Sequence, residues 1–203
     1  MNHDEIVRLY GPWAARTPAD AAALLHDYRG LWWIAGGWSI EVFTGIARPH
    51  GDIDPSILRS DIALLRAHVG ERFDVWAADR GALRPLVKPD AEAPPTCENL
   101  WLRRSGADPW EYDVILTDVA EQTWSYKRDR RVAMPLDEIL WEHESIPYLR
   151  PTVQLLHKAP GLRPQDQQDF DACLPLLGAA DRHWLREALR VAHPGHPWIP
   201  ALL

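Results

Sequence analysis

Cysteine is scarce: only Cys97 and Cys173 occur, far apart and in no ligand-like spacing. Neither a disulfide scaffold nor a cysteine-based zinc site is indicated, and both read as buried thiols. Long apolar runs are missing as well. Stretches such as Leu31 to Gly37 fall far short of the roughly 20 residues a helix needs to span a bilayer, which argues against an integral membrane protein. No basic segment followed by an apolar core opens the chain, so no secretory signal is visible and a cytoplasmic location is expected. Positive charge is not in excess: Lys+Arg number 22 against 29 Asp+Glu, a formal net charge of -7. A general nucleic-acid binder usually carries a net basic face to displace counterions, so nucleic acid is disfavoured as a partner and a cationic small molecule is compatible. Gly-x-Gly-x-x-Gly and Gly-x-x-x-x-Gly-Lys-Ser/Thr do not occur, which leaves dinucleotide and P-loop folds unsupported.

What is present is ordinary for a globular protein. The 203 residues are 46% hydrophobic and 25% charged, enough for a buried core in one domain or two small ones. From Leu31 to about Arg130 the apolar stretches are short and bounded by Gly, Pro and Asp; after about Pro151 they lengthen and take helical spacing. The pattern predicts an α/β part (α+β type) with a small mixed sheet flanked by helices, then a helical part, with domains at residues 1–134 and 135–203. Helices are predicted over Pro18–Tyr28 with Thr17 as N-cap, over Trp38–Thr44 ending at Gly45, and from Ser60 as cap to Gly70. Further helices are expected over Thr152–Lys158, Gln165–Leu174 and Ala180–Val191. Strands are predicted at Leu31–Ala35, Asp52–Ile57, Phe73–Ala77, Leu83–Val87, Glu98–Arg103, Tyr112–Leu116 and Trp124–Lys127, with a proline-rich loop over Pro89–Thr96. Pro55 denies its strand one ladder hydrogen bond and suggests an edge or a bulge.

Two segments carry chemistry. Asp52 and Asp54 are two apart, so in an extended strand their carboxylates share one face. Such a pair repels itself unless a cation sits between, and hard oxygen donors suit Mg²⁺ together with substrate phosphates. Gly36-Gly37 ahead of a helix lets backbone N–H groups approach an anion. Together they describe a site for a metal-bound nucleoside triphosphate, whereas each piece alone is ordinary turn chemistry. Glu111 and Asp113 share one parity in the run Trp110–Leu116, and Asp113 lies deeper in the apolar run.

The run Gly36-Gly37-Trp38-Ser39 followed by Arg48-Pro49-His50-Gly51-Asp52-Ile53-Asp54 resembles the nucleotidyltransferase superfamily (DNA polymerase beta-like). It is most similar to the aminoglycoside adenylyltransferases and lincosamide nucleotidyltransferases. The likeness continues through Trp124–Asp129, Ile146–Leu149, Gln154–Ala159 and Asp166–Phe170. Two features depart from it: fourteen residues separate Gly37 from Asp52, and Pro55 follows the second aspartate. The resemblance implies transfer of a nucleoside monophosphate from a Mg²⁺-bound triphosphate, ATP by preference, to a hydroxyl of a small molecule such as an aminoglycoside- or lincosamide-like antibiotic. It assigns Asp52, Asp54 and Asp113 to the metals, with Asp113 also serving as general base. Gly36, Gly37, Ser39, Arg48, Arg128 and Lys158 are assigned to the nucleotide, and Trp38, Glu111 and Trp101 to the acceptor. For Lys158 a snorkelling surface position is the alternative. His50 is expected to hold the aspartate loop. A monomer or homodimer is expected, with no nucleic-acid or membrane partner. The competing reading is a non-catalytic nucleotide-binding or toxin–antitoxin-type module on the same fold.

Overall fold

The computed structural model describes residues 3–88 and 90–203. The loop expected from Pro89 begins outside the described residues, and its remainder, Asp90 to Thr96, is turn and coil. In chain order the helices are α1 (His3–Tyr10), α2 (Pro18–Leu24), α3 (Gly36–Thr44), α4 (Ile62–Val69), α5 (Pro151–Lys158), α6 (Pro164–Cys173) and α7 (Ala179–Ala192). The chain divides into two compact units, Met1–Ile34 with Pro49–Asp118 and Ala35–Arg48 with Val119–Leu203.

The first unit is built on a mixed sheet of β1 (Trp32–Ile34), β2 (Pro55–Leu58), β3 (Asp74–Asp79), β4 (Ala82–Pro85), β5 (Asn99–Arg103) and β6 (Tyr112–Thr117). Their order is β1-β2-β6-β5-β3-β4. Only β2 and β6 run parallel; β1 with β2, β6 with β5, β5 with β3 and β3 with β4 are antiparallel. Along β6 burial alternates: Tyr112, Val114 and Leu116 are buried while Asp113, Ile115 and Thr117 are partly exposed, as strand parity requires. Ile34, Ile57, Leu65, Val69, Leu100 and Leu102 are among its buried core residues.

Local chemistry explains several boundaries. Thr17 caps α2 through a reciprocal box with Asp20, whose N–H donates to Thr17 Oγ1 at 3.3 Å while the Thr17 N–H donates to Asp20 Oδ2 at 2.8 Å. The helix stops at Leu24, short of the expected Tyr28. Ser60 does not cap α4: a 3₁₀ turn over Arg59–Asp61 precedes it, and the Ser60 hydroxyl donates to the Asp61 carboxylate at 3.1 Å. The strand expected over Asp52–Ile57 starts only at Pro55, so both aspartates precede it. Nor is β2 an edge, since it lies between β1 and β6. Pro55 is tolerated because its missing N–H falls on the first residue of the strand.

The second unit holds a small sheet of β7 (Val119–Ala120), β8 (Thr123–Ser125) and β9 (Ala133–Pro135), a hairpin of β10 (Leu140–His143) and β11 (Ile146–Leu149), and four helices. The C-terminal part is helical as expected, but the hairpin over residues 140–149 was not anticipated. Helix α5 is almost wholly buried and packs against α3, α6 and α7, with Val153, Leu155 and Leu156 fully covered. Phe170 stacks on Trp198 with ring centroids 4.4 Å apart, closing one end of this core.

Candidate active site

Asp113 sits near the start of β6, between the parallel neighbour β2 and the antiparallel neighbour β5. Its N–H donates to the Ile53 carbonyl at 3.1 Å, which carries the β2–β6 alignment one step beyond the strand and sets Asp52 and Asp54 on either side of the bonded residue. Asp52, Asp54 and Asp113 each bring an oxygen into a group whose members lie within 4.8 Å of one another, and all three are half-buried. The structure thus brings together the three aspartates singled out in the sequence, the first two from the approach to β2.

Three carboxylates this close repel one another in the absence of a counter-charge. Burial first, and then the neighbouring Asp52 charge, push the Asp113 carboxyl up to about 7, while hydrogen bonds from Asn99 and Trp101 pull the other way. A divalent cation would remove the repulsion, and an all-carboxylate donor set of this size fits Mg²⁺. Asn99 Nδ2 donates to Asp113 Oδ1 at 2.7 Å.

Two residues assigned to the acceptor, Glu111 just ahead of β6 and Trp101 on β5, have other partners. Glu111 is buried and ion-paired to Arg16 at 2.5 Å and to Arg104 at 3.0 Å. Trp101 pairs with Asp113 in the β5–β6 register, is 8% exposed, and packs edge-on against Tyr10, Trp13 and Trp110. It therefore supports Asp113 from within a core of rings.

The second unit carries the remaining assigned residues. Helix α3 begins at Gly36, earlier than the expected Trp38, so both glycines form its first turn. Gly36 has φ +65°, a conformation glycine adopts without a Cβ penalty. Its N–H donates to Gln154 Oε1 at 2.8 Å, and its carbonyl accepts from Ser39 Oγ at 2.9 Å. Ser39 is fully buried, so its hydroxyl serves the turn. Trp38 is half-buried in the same turn.

Lys158 does not snorkel to the surface: it is buried, with Nζ 2.8 Å from Asp169 and 3.4 Å from Asp166. Arg48 reaches Asp169 at 3.3 Å and Arg163 reaches Asp166 at 2.8 Å, so two buried carboxylates face three cations. Burial opposes ionisation of Asp166, but the Arg163 hydrogen bonds and the Lys158 and Arg163 charges hold it below the usual carboxylate range. Arg128 is exposed and donates to Tyr126 Oη at 3.3 Å. His50 is half-buried. Sequence reasoning missed Asn99, Gln154, Asp166 and Asp169 as individual residues. The last three lie in segments whose family likeness was noticed, whereas an asparagine opening a strand gave no signal.

No protein-family model matches the chain, and no curated protein matches it in sequence. Among solved structures it is similar to the solution structure of the antibiotic-resistance factor ANT(2'')-Ia, at 18% identity and a TM-score of 0.52 over 83% of this chain and 86% of that one. Lincomycin-bound lincosamide antibiotic adenylyltransferase LnuA aligns at 16% identity and TM-score 0.48, covering 75% of this chain and 90% of that one. ANT(2'')-Ia in complex with adenylyl-2''-tobramycin aligns at 15% identity and TM-score 0.48, covering 82% of this chain and 91% of that one. At such identity the likeness is one of architecture, and by that measure the chain shares the fold of ANT(2'')-Ia.

Proposed function

We propose that this chain is a nucleotidyltransferase, adenylyltransferase-like, that moves a nucleoside monophosphate from a Mg²⁺-bound triphosphate, ATP by preference, to a hydroxyl of a small molecule. The observation that carries the reading is the convergence of Asp52, Asp54 and Asp113 within 4.8 Å on a fold shared with an antibiotic-resistance factor. When bound there, Mg²⁺ supplies charge neutralisation and alignment of the phosphates. Asp52, Asp54 and Asp113 would hold the metal. Asp113, in contact with the same group, accepts the proton of the attacking hydroxyl.

Gly36, Gly37, Ser39, Arg48, Arg128 and Lys158 form the nucleotide-binding set of this reading. Arg48 and Lys158 hold Asp169, so gripping phosphate through them requires an exchange of partners. Arg128, exposed beside Tyr126, requires none. Trp38, Trp101 and Glu111 are the acceptor-side residues of this reading. A net charge of -7 favours a cationic acceptor, which makes an aminosugar such as an aminoglycoside the first candidate, with a lincosamide-like antibiotic next.

The test is transfer of labelled nucleotide from each of the four triphosphates to a panel of hydroxylated antibiotics and metabolites. Asp113→Asn should cut the rate about 10² to 10⁴-fold. Efficient addition to RNA or DNA ends with none to small molecules would overturn the acceptor. Full activity in Asp52→Asn and Asp54→Asn would overturn the reading.

A further inference from the structure

We infer that Asn99 is a positioning residue for Asp113, holding its carboxylate in the orientation that joins Asp52 and Asp54; the inference rests on reading those three aspartates as a metal site. The register of the sheet makes the arrangement. On one face of β6, Asp113 is paired with Trp101 of β5, and the next residue on that face, Ile115, is paired with Asn99. Asn99 is thus the diagonal neighbour of Asp113, a separation that a side chain of its length spans. The Nδ2–Oδ1 distance of 2.7 Å is that of a short, direct hydrogen bond. An amide nitrogen donates and does not accept, so this bond is satisfied by an oxygen lone pair of Asp113.

The geometry has a purpose that strand pairing does not require. The terminal torsion of a carboxylate is broad, and left to itself Asp113 would turn away from two like charges. The Asn99 donor on that carboxylate removes that freedom. Groups that orient a ligand from behind typically change metal affinity 10- to 100-fold when deleted.

The experiment uses the full-length protein and Mn²⁺ alone as probe. Binding is measured calorimetrically for the wild type, Asn99→Ala, Asp113→Asn and the double variant, with thermal unfolding recorded beside it. Asn99→Ala should weaken Mn²⁺ about 10- to 100-fold. Added to Asp113→Asn it should cost less than about twofold more, because the carboxylate it positions is gone. A residue that merely supported the strand would act equally in both backgrounds. Should Asn99→Ala fail to fold, Asn99→Ser, polar but too short to reach Asp113, gives the same comparison. The inference is overturned if either variant binds Mn²⁺ within twofold of the wild type, or if the loss is the same with Asp113 replaced. Mn²⁺ binding that ignores Asp113→Asn removes the metal reading itself, whereas binding sensitive to Asp113 and indifferent to Asn99 removes only the role given to Asn99.

Discussion

Lys158 Nζ lies 2.8 Å from Asp169 in the second unit, and both side chains are buried. With Asp166 they form a cluster in which the buried ammonium is shared by two carboxylates, while Arg48 pairs with Asp169 and Arg163 with Asp166. Removing one partner of a buried pair typically costs 3–5 kcal/mol because the other charge is left without compensation. Lys158→Met should therefore destabilise the protein by about 3 kcal/mol, the lower end, since the two arginines stay. Arg128→Ala, on an exposed side chain, should stay within about 0.5 kcal/mol of the wild type. Urea unfolding of the two variants checks this, and equal midpoints would refute the distinction.

The aspartate triad makes a prediction of opposite sign. Asp52 raises Asp113 by like-charge repulsion, so Asp52→Asn should increase the melting temperature of the metal-free protein. Added Mg²⁺ should stabilise the wild type by mass action and leave Asp52→Asn and Asp54→Asn almost unmoved. Thermal unfolding in chelator and in millimolar Mg²⁺ tests both halves. A Mg²⁺ shift retained in both variants would exclude the pair as ligands.

His157 gives the molecule an acid-sensitive point. Its ring lies against Trp124 and Tyr126, with centroids 5.9 and 5.3 Å away. Burial first, then the Lys127 and Arg128 charges, press its pKa down to about 3. An unfolded histidine titrates near 6.5, so between about 6.5 and 3 the unfolded chain binds the extra proton. Stability from this group is complete above the unfolded pKa and is lost as pH falls through that window. His157→Gln should narrow the gap between melting temperatures at pH 7.5 and pH 4.5. A gap of unchanged size would show that His157 is not the group responsible.

The β10–β11 hairpin turns on Glu144 and Ser145, whose φ angles are +49° and +61°. Two-residue hairpin loops of this kind favour Asn-Gly, because other residues resist positive φ. Replacing the pair by Asn-Gly should stabilise the protein by roughly 1 kcal/mol. Chemical denaturation is the measurement, and a loss of stability would mean that Glu144 or Ser145 holds the turn by some other contact.

The same turns show where sequence reading stops. Strand β3 reaches β4 through Arg80-Gly81, and the glycine marks the turn. Glu121-Gln122 and Glu144-Ser145 make comparable two-residue loops with positive φ at both residues, yet nothing in their side chains announces it. The strands they join were consequently misjudged or missed.

By itself the sequence determined the elements whose causes are local: the Thr17 cap, Gly45 closing α3 and the alternation of β6. It also singled out Asp113, because parity and depth in an apolar run are readable from one strand. Tertiary structure decided whatever depended on a neighbour distant in the chain. Asn99 became a partner of Asp113 only through the β5–β6 register, and Glu111 was drawn to Arg16 and Arg104 although it shares the parity of Asp113. Lys158 was buried because Asp166 and Asp169 supply the opposite charge from α6. A charge leaves water only where its counterpart waits, and where that counterpart lies is a property of the folded chain.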